Sequence, residues 1–164
     1  MPAKEKTLDD LFLTTLKDVY YAEKQILRAL PKMAKAAESN ELRQAFEKHR
    51  GETEEQVQRL EQVFEIIGKR ASGKTCDAIQ GIIEEGKEIM DDFADSEALD
   101  AGLIAAGQAV EHYEISRYGT LRSWAQELGL EDAVPLLEQT LEEEKKTDEL
   151  LTQLAEARVN QKAA

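Results

Sequence analysis

Four glutamates stand where the hydrophobic period of a helix calls for apolar side chains. Glu23 falls among Phe12, Leu16, Val19, Ile26, Leu27, Leu30 and Ala34, all within roughly 60° of it on a helical projection. Glu111 and Glu114 lie among Ile104, Gly107, Ile115, Tyr118 and Leu121, and Glu144 among Leu137, Leu141, Leu151 and Ala155. Burying a carboxylate costs several kcal/mol unless it is paired or ligates a metal. Acids converging in one helical core therefore point to a bound cation.

Other residues widen the candidate set. On the second helix Glu52 lies roughly 80° from the centre of the apolar face, as a solvated edge would. His49 shares that face with Glu52 one turn away, as a nitrogen ligand or a satisfied core imidazole. Gln56 stands where a ligand would, but a neutral amide is a poor one. Asp148, one turn beyond Glu144, is a further candidate ligand. His112 points roughly 100° from Glu111, which suits packing or a supporting hydrogen bond. Tyr20 and Tyr118 face the same region, while Tyr21 and Tyr113 read as packing. Glu142, Glu143, Lys145 and Lys146 read as solvent-facing charge.

With 34 acidic residues in 164, a lone Glu-x-x-Glu carries little weight. The weight comes from an internal repeat. Asp18-Val-Tyr-Tyr-Ala-Glu23 aligns with Ala109-Val-Glu-His-Tyr-Glu114, and Glu52 with Glu144. The spacing between the two acids differs by one residue between the halves. Two such hairpins about a pseudo-twofold bring four acids to one level of the core, a geometry that serves a pair of metal ions.

The elements that must position these residues are all helical. Ala, Leu, Glu and Lys dominate, and Pro2, Pro31 and Pro135 are the only prolines. Thr7-Leu-Asp-Asp10 reads as a capping box opening a helix that runs to about Glu38, with a kink at Pro31. Asn40 caps a second helix that Gly68 closes. A shorter amphipathic helix spans 75–93 inside the connector 69–95. Ser96 restarts the chain into a third long helix that Gly129 stops. Asp132 caps the fourth, with Pro135 in its first turn, and it continues to about Ala157. Val159–Ala164 reads as a frayed tail. The expectation is one domain over 1–164, ordered from about 7 to 158: two hairpins joined by a long crossover, the ferritin-like route to a four-helix bundle.

Composition narrows the function. A formal net charge of −13 argues against nucleic-acid binding. No apolar run approaches the roughly 18 residues of a membrane span, and the first six residues lack a signal-like apolar segment. The lone Cys76 permits no internal disulfide and reads as a small core residue. The default expectation is a cytoplasmic protein.

The runs Leu-Lys-Asp-Val-Tyr-Tyr-Ala-Glu-Lys-Gln (16–25), Val-Glu-His-Tyr-Glu-Ile (110–115), Tyr-Gly-Thr-Leu (118–121) and Thr-Leu-Glu-Glu-Glu-Lys (140–145) resemble the YciE/YciF stress-protein family. The similarity covers about Thr7 to Asn160. It implies a ferritin-like fold related to rubrerythrin and manganese catalase, a carboxylate-bridged dinuclear site, a homodimer and a role under stress. By position Glu23 would be the first-helix ligand and Glu52 the bridging ligand of the second. Glu111 and Glu114 resemble the paired third-helix glutamates of rubrerythrin. Glu144 would bridge from the fourth helix, and Asp148 would stand where such proteins often place a histidine. The chain departs from the common Glu-x-x-His pattern, with Glu55 after Glu52 and Thr147 after Glu144. A carboxylate-rich shell suits iron(III) or manganese. The expected chemistry is reaction with peroxide or oxygen, fed by an external electron donor. The alternative is a non-enzymatic bundle whose acids sequester metal or pair with Arg28, Arg122 or water.

Overall fold

A computed structural model describes residues 2–164. Its long helices are α1 (Leu8–Ala36), α2 (Asn40–Ile66), α4 (Leu99–Glu127) and α5 (Val134–Leu154), with α3 (Asp77–Asp92) in the crossover. Among the described residues there is no strand.

Local chemistry explains most of the boundaries. Thr7 and Asp10 form the reciprocal capping box that opens α1. Gly68 and Gly129 take φ of +67° and +70°, the left-handed conformation that closes α2 and α4. At both ends the next residue's N–H reaches back five positions, from Lys69 to the Phe64 carbonyl and from Leu130 to that of Ala125. Three expected boundaries shift. Ser39, not Asn40, caps α2 through its hydroxyl. Ala133 rather than Asp132 precedes α5, so no side chain caps that helix. Beyond α5 the chain does not fray: Ala155–Val159 forms a π-helical turn that leads into α6 (Asn160–Ala163), with Val159 buried. Packing of Val159 into the core outweighs the polarity of the residues around it. α1 runs unbroken through Pro31.

α1 pairs with α2 and α4 with α5, while α1 meets α4 and α2 meets α5 across the bundle. α3 packs on α4 and α1. The core forms two apolar clusters. One gathers Ile26, Leu30, Leu42, Phe46, Leu103 and Leu151; the other gathers Phe12, Leu16, Leu60, Phe64, Leu121 and Leu137. Each fully buried side chain of this kind contributes about 1.5–3 kcal/mol. Along every long helix the sequence passes from one cluster to the other, and the residues at the crossing are polar. Glu23, His49, Thr53, Gln56, Glu111, Glu114 and Glu144 thus form a buried polar layer across the bundle's waist.

Candidate metal centre

Each long helix sends at least one titratable side chain into this layer. α1 supplies Glu23, α2 His49, α4 Glu111 and Glu114, and α5 Glu144. None of the five is more than 3% exposed. One possible ligand atom from each of His49, Glu111, Glu114 and Glu144 lies within 4.8 Å of all the others. His49 Nε2 stands 2.7 Å from Glu111 Oε1 and 4.0 Å from Glu144 Oε2. The 2.7 Å contact lacks the alignment of a hydrogen bond, so both imidazole nitrogens are without a hydrogen-bond partner. So are both carboxylate oxygens of Glu114 and of Glu144, Glu111 Oε2 and Glu23 Oε2. Glu23 Oε1 accepts a 2.7 Å hydrogen bond from the Tyr118 hydroxyl.

The electrostatics follow from this crowding. Burial, reinforced by the charge of Glu144, pushes Glu23 up to about 7. Burial and the neighbouring charges of Glu144 and Glu23 hold Glu114 well above the usual carboxylate range. Burial and Glu111 do the same to Glu144. Burial alone would lower His49, but Glu111 and Glu144 overcome it and raise the imidazole well above its ordinary value. Burial, with Glu23 beside it, keeps the Tyr118 hydroxyl protonated and therefore a donor. Without a cation, these surroundings favour the protonated forms of Glu23, Glu114, Glu144 and His49. Orphaned carboxylate oxygens and an imidazole nitrogen converging in a buried layer fit a cation. The donor set suits iron or manganese better than soft metals.

The remaining candidates lie outside the cluster of four. Glu52 is partly exposed, 3.7 Å from Lys48, and accepts a 3.4 Å hydrogen bond from Thr147. The nearby imidazole of His49 lowers its carboxyl. Asp148 pairs with the exposed His112 at 3.2 Å. Gln56 donates a 3.4 Å hydrogen bond to Glu143. That glutamate is not free solvent-facing charge as expected. It also accepts from Arg59 at 2.7 Å, because the long Arg59 stem reaches across from α2 to α5. Arg59 further donates to the buried Thr140 hydroxyl. Arg122 pairs with the exposed Glu138, and among the described residues Arg28 makes no ion pair. Neither arginine neutralises the core acids.

Two polar features escaped the sequence reading. Asp100 accepts from the backbone N–H groups of Glu38 and Ser39, at 2.9 and 2.8 Å, and so ties the α1–α2 turn to α4. Tyr113 does more than pack: its hydroxyl donates to Asp18 at 2.8 Å and lies 3.0 Å from Cys76 Sγ, which also caps α3. Neither partner is near in sequence, so no spacing signalled them.

Residues 7–164 match the family model DUF892, a domain of unknown function. The Escherichia coli (strain K12) protein YciF is 48% identical over 159 residues, 96% of each chain. The crystal structure of the E. coli stress protein YciF superposes with a TM-score of 0.90 at 47% identity, covering 95% of this chain and 99% of that one. YcfI from Rhodopseudomonas palustris gives a TM-score of 0.88 at 47% identity, covering 93% and 97%.

Proposed function

The chain belongs to the DUF892 family, and on that premise we propose that it is a stress-response protein whose bundle holds two iron or manganese ions between its helices. One observation carries this reading: His49, Glu111, Glu114 and Glu144 converge within 4.8 Å, buried, with most of their polar atoms unpartnered. These four hold metal, with Glu23 facing them from α1 and Glu52 at the partly exposed edge on α2. A bound pair of such ions supplies redox chemistry toward peroxide or oxygen. Around it, Tyr118 fixes one oxygen of Glu23 and leaves the other directed to the site. The apolar clusters above and below flank the layer with hydrocarbon. Arg59 neutralises Glu143 at the edge of the layer, where Gln56 also donates to it. The stress role rests on the E. coli relative, which is described as a stress protein.

The rival is a bundle that sequesters metal without turnover. It is weighed against the enzyme by reducing metal-loaded protein anaerobically, adding peroxide, and following peroxide loss and the optical spectrum. The metal reading itself is tested by elemental analysis of protein prepared without chelators and with added iron or manganese. About two ions per chain are expected, and none in Glu144→Ala. No bound metal in the parent protein would overturn it.

The working assembly in this reading is a cytoplasmic homodimer that draws electrons from an external donor. Phe93, Leu11 and Ile66 supply exposed apolar surface, whereas Trp124 is half-buried against its own bundle. No helix is long and apolar enough to cross a membrane among the described residues. Sedimentation at micromolar concentration tests the dimer, and a monomer alone would refute it.

A further inference from the structure

A cavity of about 210 Å³ opens between α1 and α3 and runs inward to His49 and Glu111. Its walls are mainly apolar: Ile26, Met33, Phe46, Ile83, Met90 and Leu151. Its rim is not. Arg28, Lys32 and Lys87 all line it, and all three are exposed. Among the described residues none of the three is ion-paired, although the chain carries 34 acids against 21 bases. On so acidic a protein, three cations gathered at one apolar mouth give it a locally positive rim.

We propose that this cavity binds a medium-chain aliphatic carboxylate, with its chain inside and its carboxylate among Arg28, Lys32 and Lys87. The size agrees. An apolar cavity of about 150 Å³ admits a benzene molecule, so the volume here suits a chain of roughly eight carbons. The polarity agrees as well: a neutral hydrocarbon would leave the rim cations without a partner, and a small anion would leave the apolar walls wet. In this pose the far end of the chain lies beside Glu111 and His49. The site would thus bring a C–H bond, rather than the carboxylate, towards the candidate metal centre. Binding requires only the cavity and its rim, so it stands whether or not metal is loaded.

The test uses metal-free, full-length protein with octanoate and octan-1-ol, followed by calorimetry and by nuclear Overhauser contacts from the terminal methyl. Octanoate should bind in the micromolar range, with its methyl contacting Val110. Arg28→Glu combined with Lys87→Glu, both at exposed positions, should weaken octanoate at least tenfold and change octanol less than twofold. Ala29→Trp, which fills the half-buried wall, should abolish both. Folding of each variant is checked by circular dichroism. No octanoate binding at millimolar concentration would overturn the proposal. So would affinity untouched by the charge reversals, or methyl contacts confined to the rim. Metal analysis of the same preparation keeps this outcome separate from failure of the metal reading.

Discussion

Tyr118 on α4 and Glu23 on α1 are joined by a 2.7 Å hydrogen bond inside the polar layer, with both side chains at most 1% exposed. The bond links the two hairpins at the level of the candidate ligands. It satisfies one oxygen of an acid whose other oxygen has no partner.

Tyr118→Phe should therefore destabilise the protein by about 1–3 kcal/mol, the range for leaving a buried polar group without its partner. Tyr20→Phe is the control. Its hydroxyl reaches Glu61, a residue at the surface, at 3.0 Å and should cost no more than about 1 kcal/mol. Urea unfolding of both variants at pH 7 checks the ordering. Equal costs would mean that the Glu23 contact has no special weight.

Stability of the metal-free protein should fall as pH rises from about 5 to 8. Glu23, Glu114 and Glu144 hold their protons more tightly when folded than at their ordinary value of 4.5. The folded state thus binds more protons than the unfolded one above that value, and stability declines as each group ionises. His49 acts in the same direction: its contribution is complete below 6.5 and is lost as pH climbs through its raised folded value. For Glu23 alone, rising from 4.5 to about 7, the effect is on the order of 3 kcal/mol. The depressed carboxyl of Glu52 does not change this slope: its contribution is constant above 4.5 and is lost only as pH falls through its lowered folded value. Thermal unfolding across pH with a chelator present measures the slope, and a flat or rising profile would contradict it.

Glu144→Gln should raise the stability of metal-free protein in alkaline solution by about 1–3 kcal/mol, since it replaces a buried, unpaired charge with a neutral isostere. The same change should remove any stabilisation by added manganese. Under an ion-pair reading the substitution would only destabilise. Unfolding midpoints with and without metal distinguish the two, because opposite signs are expected.

The fold was legible because its signals are local and periodic. The capping box at Thr7, the left-handed glycines at 68 and 129, and the long connector are all written in consecutive residues. The match to YciF across 96% of the chain agrees with the family resemblance of residues 16–25 and 110–115. Glu23, Glu111, Glu114 and Glu144 were legible as candidates because an acid at the centre of an apolar stripe is costly in any fold. His49 was harder to read, since its value depends on Glu111 from another helix. Glu143 and Asp100 were opaque for the same reason. Arg59 and the α1–α2 turn, which give those acids their partners, lie far away in sequence. Side-chain reach decided these cases, and helical periodicity does not encode it.

Metal uptake should be accompanied by proton release. Glu114, Glu144, Glu23 and His49 are all raised and so favour their protonated forms, and a cation must displace those protons to reach the same lone pairs. Titration with manganese at pH 6.5 in buffers of differing ionisation enthalpy should report more than one proton released per ion. Affinity should rise with pH over the interval in which metal-free stability falls. His49→Ala should lower both the proton count and the affinity, the latter by about 10-fold or more, as expected on losing a ligand or its support. Manganese that binds without releasing protons would have to sit on the exposed acidic surface, where carboxylates are already ionised, and the buried layer would then not be its site.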